Sequence, residues 1–300
     1  MGTVCGQDYP NKPIRIVTAA AGGGSDFTAR QLAQGISGPL GQPVIVDNRP
    51  QGFIAVDVVS KAPSDGYTLT IQGASLWLSP LLRKVPYDVA DFSPISLVVR
   101  EVFVVAVNPS VPANSVKDLI ALAKAKPGGL NHAVTGLGGT SHLAAELFKS
   151  LAGVNMVLVS YKGSAAATTA LISGEVQMWI ADAGLAMPQA RSGKVRALAV
   201  TAAEPSALTP GLLTVAASGL PGYEMVTMTG LFAPARTARS IISRLNQEVV
   251  RATSRAEVKE RFLNAGFETF SNSPEQFAAT IRSEMTKFGA VIRDAGIKAD

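Results

Sequence analysis

The chain has 300 residues, 47% of them hydrophobic and 16% charged, which exceeds one typical domain, suits two, and excludes a disordered polymer. Its net charge of +5 comes from 27 Lys and Arg set against 22 Asp and Glu. The basic residues are scattered, and toward the C-terminus they alternate with glutamates, which excludes a clustered nucleic-acid-binding face.

The first residues, through Gln7, have no hydrophobic signal core. They read as a scar on a processed exported chain, a cytoplasmic start, or a lipid-modified Cys5. Cys5 is the sole cysteine, so no internal disulfide and no cysteine-based metal site can form. Ile14–Val17 is a short β-branched strand. The helix after it places Ala29, Leu32, Ala33 and Ile36 on one face and ends at Pro39-Leu40-Gly41. Val44–Val46 predicts a second strand, Gln51–Lys61 a helix stopped by Pro63-Ser64-Asp65-Gly66, and Tyr67–Ile71 a third strand. This βαβαβ order predicts a parallel sheet with right-handed crossovers.

Val98–Val107 is the longest apolar run; Arg100 and Glu101 interrupt it. It falls short of the ~18–20 residues of a membrane span and reads as a strand carrying the chain into a second lobe. Ser115–Lys124 predicts a helix capped by Ser115. Strands at His132–Thr135, Met156–Val159, Val176–Ile180 and Val195–Val200 then alternate with helices over His142–Leu151 and Ala165–Ile172. Met225–Phe232 predicts a strand returning to the first lobe. The C-terminus is helical, with Ile241, Ile242, Leu245 and Val249 on one face and a capping box at Ser273-Pro274-Glu275-Gln276. Residues 1–100 and 226–300 thus form lobe one and 101–225 lobe two. Two crossings imply a hinge and a cleft that closes.

Two segments repeat one construction, strand to glycine turn to helix: Ala21-Gly22-Gly23-Gly24-Ser25-Asp26 and Gly136-Leu137-Gly138-Gly139-Thr140-Ser141. A helix that starts directly after a strand leaves backbone N–H groups unpaired, and glycine lets a ligand approach them. Neither turn contains Lys or Arg, so an anion bound here would rest on neutral donors and helix starts. Ser25 or Asp26 reads as the first helix's cap. Ser75, Thr140 and Ser141 are uncharged donors at strand ends. Asp26 and Asp182 each follow a strand end, where a carboxylate can cap a helix, act as a base or accept a proton from a ligand. Trp77 and Tyr161 read either as cleft-lining or as core.

Other chemistries lack their parts. Ser141 stands where a dinucleotide fingerprint requires a third glycine, and no Walker A lysine follows either turn. No Gly-x-Ser-x-Gly elbow is present. His132 and His142 are the only histidines, too few for a zinc site without cysteine; His142 reads as a packing or capping residue.

The ordered motifs resemble a known family. In lobe one they are Tyr9-Pro10-Asn11-Lys12-Pro13-Ile14, Gly22-Gly23 with Asp26, Asn48-Arg49-Pro50, Asp65-Gly66-Tyr67 and Phe92-Ser93-Pro94-Ile95. In lobe two they are Gly139-Thr140-Ser141-His142-Leu143, Tyr161-Lys162-Gly163-Ser164 and Gly193-Lys194-Val195-Arg196, followed by Leu220-Pro221-Gly222-Tyr223 and Ala295-Gly296-Ile297-Lys298. From about Tyr9 to its end the chain is similar to the Bug family of extracytoplasmic solute receptors, the substrate-binding component of tripartite tricarboxylate transporters.

The resemblance implies an α/β, two-lobed periplasmic binding protein of the type II-like, venus-flytrap class. It implies a monomeric receptor, not an enzyme, with no cofactor, metal or catalytic residue. The expected partners are a small organic acid or amino acid, held in the interlobe cleft, and integral membrane transporter subunits. The implied ligand-binding residues are Gly22, Gly23, Gly24, Asp26, Ala74, Ser75, Gly138, Thr140, Ser141 and Asp182. The alternatives left open are a hydrolase or lyase using Asp26 or Asp182 as base, and a ligand-presenting partner of a membrane sensor. The chain departs from the family at Ala19-Ala20-Ala21 and at Gln51-Gly52-Phe53-Ile54, where Phe53 stands in a usually glycine-rich segment.

Overall fold

The computed structural model describes residues 9–297, and Cys5 lies outside them. In chain order the elements are β1 (Ile14–Thr18), α1 (Gly24–Leu40), β2 (Val44–Asn48), α2 (Gly52–Ser60), β3 (Thr68–Gly73), α3 (Ser75–Leu82) and β4 (Phe92–Val107). Then come α4 (Val116–Ala125), β5 (Asn131–Val134), α5 (Thr140–Ala152), β6 (Val157–Ser160), α6 (Ser164–Ser173), β7 (Met178–Asp182), α7 (Ala183–Arg191) and β8 (Arg196–Val200). The chain closes with β9 (Val226–Pro234), α8 (Arg239–Ser254), α9 (Ala256–Asn264), β10 (Glu268–Thr269) and α10 (Pro274–Asp294).

Two compact units result. Unit 1 holds the chain up to Arg100 together with Met228–Asn264 and Glu268–Thr286; unit 2 holds Glu101–Thr227, Ala265–Phe267 and the chain from Lys287 onward. β4 and β9 each start in one unit and end in the other. The division differs from 1–100 plus 226–300 chiefly at the C-terminus. α10 is a single helix of 21 residues that runs on past Thr286, and Lys287 Nζ donates to the Glu224 carbonyl of unit 2 at 3.0 Å.

In unit 1, β1 pairs in parallel with β2 and β3, as the βαβαβ pattern requires, and β9 adds antiparallel to β3. The α1 stripe Ala29, Leu32, Ala33 and Ile36 is buried, and the helix stops where Gly41 turns left-handed at φ 67°. Trp77, fully buried, lies edge-on to Phe277 at 6.0 Å, and Phe277 lies 4.9 Å from Phe232. The Trp77 indole donates to Glu284 at 2.7 Å, so Trp77 belongs to the core. In unit 2, β5 pairs in parallel with β6 and β7, and β4 runs antiparallel to β7 and β8. Phe148 and Tyr223 anchor its core at 6.0 Å.

The predicted caps are formed. Ser115 accepts from the Asp118 N–H at 3.1 Å, and Ser273 and Gln276 satisfy each other's backbone N–H at 3.2 and 3.0 Å. Among the described residues no helix is long and apolar enough to cross a membrane.

Candidate ligand-binding site

Both glycine turns stand at the carboxyl ends of parallel strands, where α/β sheets place their ligands. In unit 1, β1 and β3 are neighbours, so the Gly22–Gly24 turn and the Ala74-Ser75 turn leave the sheet along the same edge. In unit 2, β5 and β7 are neighbours, which brings the Gly136–Gly139 turn beside Asp182.

The turns share one device. Each helix begins after a glycine N-cap in extended conformation, Gly23 (φ −86°) for α1 and Gly139 (φ −76°) for α5, neither with a side chain to offer. The third helical residue reaches back instead. Asp26 accepts from the Gly22 N–H at 2.9 Å, and His142 Nδ1 accepts from the Gly138 N–H at 2.9 Å. Gly22 (φ +86°) and Gly138 (φ +73°) adopt the left-handed backbone that lets the turn double back. A Cβ on Gly22 would meet nothing within 4 Å, so the space above that turn is open.

This construction uses groups that the sequence reading assigned to the ligand. The N–H groups of Gly22 and Gly138 are bonded within their own turns. The helix-start donors that remain include those of Gly23, Gly24 and Ser25 at α1 and of Thr140 and Ser141 at α5. Ser25 is not the cap. Asp26 is buried, and its carboxylate also takes bonds from Asn48 Nδ2 at 2.8 Å and Arg30 Nε at 2.9 Å. Burial alone would raise its pKa, but the bonds from Gly22, Arg30 and Asn48 outweigh it and hold the carboxyl below its usual range. These bonds commit most of the carboxylate's acceptor positions to the turn. The carboxylate also neutralises Arg30, so the α1 start carries no unpaired cation.

Unit 2 gathers Thr140, Ser141 and Asp182 around a cavity of about 170 Å³, with Glu101, Phe103, Thr135, Trp179, Ile180 and Thr227 on its walls. Ser141 Oγ accepts from the Thr135 N–H at 2.9 Å, which ties the end of β5 to the start of α5. Asp182 is half-buried, and burial raises its pKa. The sequence reading missed Glu101. Burial first, then the Asp182 charge, push its carboxyl up to about 7, against an opposing bond from Thr227. Tyr161 is on none of the cavity walls; its hydroxyl donates to Glu175 at 2.8 Å.

His142 works only as the neutral tautomer, because a protonated Nδ1 cannot accept from Gly138. Burial is the main cause that lowers its pKa, reinforced by Lys149 and opposed by Glu146. His132 faces it from β5, buried and neutral, its pKa lowered to about 4. A base kept neutral by folding adds stability above its ordinary value near 6.5, and that stability is lost as pH falls below it. His142→Asn keeps an acceptor near the Nδ1 position and cannot titrate. Urea melts at pH 7.5 and 5.5 should show the wild type losing about 1 kcal/mol more than this variant. Parallel losses would reject the clamp.

The sequence model described as the tripartite tricarboxylate transporter family receptor matches residues 28–297. The chain belongs to this family. BugT of Bordetella pertussis is 34% identical over 302 residues, covering 98% of this chain and 93% of BugT. A solved R. palustris protein with adipate is 34% identical, covers 97% of this chain and 99% of its own, and superposes with a TM-score of 0.76. MatC from Rhodopseudomonas palustris with bound malate is 27% identical, with coverages of 95% and 100% and a TM-score of 0.70. The α/β fold expected of a periplasmic binding protein is the fold of these relatives, and the chain is a solute receptor of that family.

Proposed function

We propose that this receptor works in the periplasm, captures a small carboxylate-bearing solute without chemically changing it, and delivers it to the membrane subunits of a tripartite tricarboxylate-type transporter. The observation that carries this reading is the cation-free start of α5, opening on the unit 2 cavity in a chain of this family. The adipate and malate of the two R. palustris structures support the ligand class. In unit 1 we assign Gly23, Gly24, Ala74 and Ser75 to ligand contact; Gly22 and Asp26 hold that turn, as Gly138 holds the turn in unit 2.

A helix start contributes about 0.3–1 kcal/mol to an anion, up to ~2 when partly buried. Each hydrogen bond to a charged group adds roughly 1.5–3 kcal/mol. Four or five such bonds, less the cost of association, leave about 8 kcal/mol, which is micromolar affinity.

A thermal-shift panel of dicarboxylates, hydroxy acids and amino acids tests the reading. At about 100 times Kd a true ligand adds about 2.7 kcal/mol, a rise of several degrees in Tm. Thr140→Val should weaken that ligand about tenfold and leave the free protein's Tm unchanged. A flat panel, or turnover of any stabilising compound, would reject the proposal.

A further inference from the structure

We infer that Glu101 and Asp182 form a cation-accepting wall in the unit 2 cavity, so that the ligand carries an ammonium group beside its carboxylate. The inference rests on the receptor reading and names the class of ligand at the same site.

β4 and β7 pair antiparallel with Phe103 opposite Asp182. Glu101 lies two positions before Phe103, on the same face of β4, and both carboxylates line the cavity. Thr227 of β9 bonds to Glu101. Among the described ion pairs neither Glu101 nor Asp182 takes part; the adjacent cation, Arg100, is committed to Glu268 at 2.8 Å. Two half-buried carboxylates in one small cavity repel each other, and protein structures ordinarily relieve such a pair with a cation or a shared proton. Among the described residues no Lys or Arg forms an ion pair with either carboxylate. Near neutral pH the pair therefore keeps part of a proton.

The start of α5 brings the other polarity to the same cavity. Thr140 and Ser141 bring the positive end of α5 to the cavity, the place for a carboxylate. Trp179, only 2% exposed, also lines the cavity, and among the described residues its indole N–H has no partner, a buried donor that points to a missing acceptor. Neutral donors and two carboxylates around one cavity of about 170 Å³ suit a zwitterionic head group. A second carboxylate placed against Glu101 and Asp182 would be repelled.

The sign of proton exchange tests this directly. An ammonium seated on the pair expels its proton, whereas a carboxylate seated there makes the pair take one up. Calorimetric titrations at pH 7, in phosphate and in Tris, would use matched acids differing only in an α-ammonium, an α-hydroxyl or a hydrogen, over a range of chain lengths; aspartate, malate and succinate are one such set. The ammonium member should bind at least about tenfold tighter than its unsubstituted partner, with net proton release. Glu101→Gln should shrink both the preference and the release. If malate or succinate types bind and no ammonium member does, or if binding takes up protons, the inference falls while the receptor reading stands. If no carboxylate binds, both fall. The proton count on the wild type needs no variant, so a poorly folding Glu101→Gln does not spare the idea.

Discussion

Asp26→Asn is expected to lower the unfolding free energy by about 2–3 kcal/mol at pH 7, although Asn is nearly isosteric with Asp. The buried carboxylate accepts from the Gly22 N–H, Asn48 Nδ2 and Arg30 Nε. Every one of these is a donor. An amide has a single acceptor atom, so in the variant at least one NH2 faces another N–H, and Arg30 loses its counter-charge. Hydrogen bonds to charged groups are worth about 1.5–3 kcal/mol each. Arg30 is roughly half exposed, which keeps the total toward the lower end. The pH dependence has a definite sign. The folded carboxyl titrates below its ordinary value, so its contribution is complete above about pH 4–5 and fades as pH falls through the folded pKa. Urea melts of the two proteins should therefore differ most near neutrality and converge in acid. A constant offset from pH 7 to pH 3 would show that the ionised carboxylate is not what holds the turn.

That network marks how far the sequence could be read. The glycine turns, the strands before them and the stripes of the helices after them were legible because period and β-branching are local. Which N–H groups stay free was not, because it depends on the rotamer of the third helical residue: Asp26 and His142 both turn backward. α3 and α7 were not assigned because Pro80 and Pro188 lie inside them, and proline in sequence reads as a stop. In helices of 8 and 9 residues each proline disturbs only the preceding turn. The placement of residues from Lys287 onward in unit 2 depends on one helix running on unbroken, which no local pattern marks. Glu101 left the clearest unused signal. It is a carboxylate in the largely apolar second half of β4, and the apolar count registered it, with Arg100, only as an interruption. A charge in a strand buried on both sides has to face a cavity, a partner or a ligand.

Gly230→Ala is expected to cost more than 3 kcal/mol, an unusual amount for one added methyl in a strand. Gly230 lies in β9 opposite Gln72 of β3. A Cβ there would stand 2.4 Å from Phe277 Cζ, 2.5 Å from its Cε1 and 2.9 Å from the Ser96 carbonyl oxygen. The carbonyl belongs to β4, where Ser96 is fully buried and its hydroxyl is bonded to the Asn272 carbonyl at 3.1 Å, so that side cannot yield. Phe277 would have to move instead. Its ring sits 4.9 Å from Phe232 and 6.0 Å from Trp77, and Trp77 is fixed by its bond to Glu284. The strain therefore spreads into the largest aromatic cluster of unit 1, where overpacking commonly costs 1–3 kcal/mol and more when neighbours are locked. Gly73→Ala is the internal control: it lies in the paired strand, its Cβ would meet nothing closer than 3.6 Å, and it should shift stability by under about 1 kcal/mol. Gly230→Ala with Phe277→Leu, which removes the ring from the methyl's path, should be more stable than the sum of the two single changes by at least about 1 kcal/mol. Urea melts followed by Trp fluorescence give all four values, and strict additivity would place the conflict somewhere other than between Gly230 and Phe277.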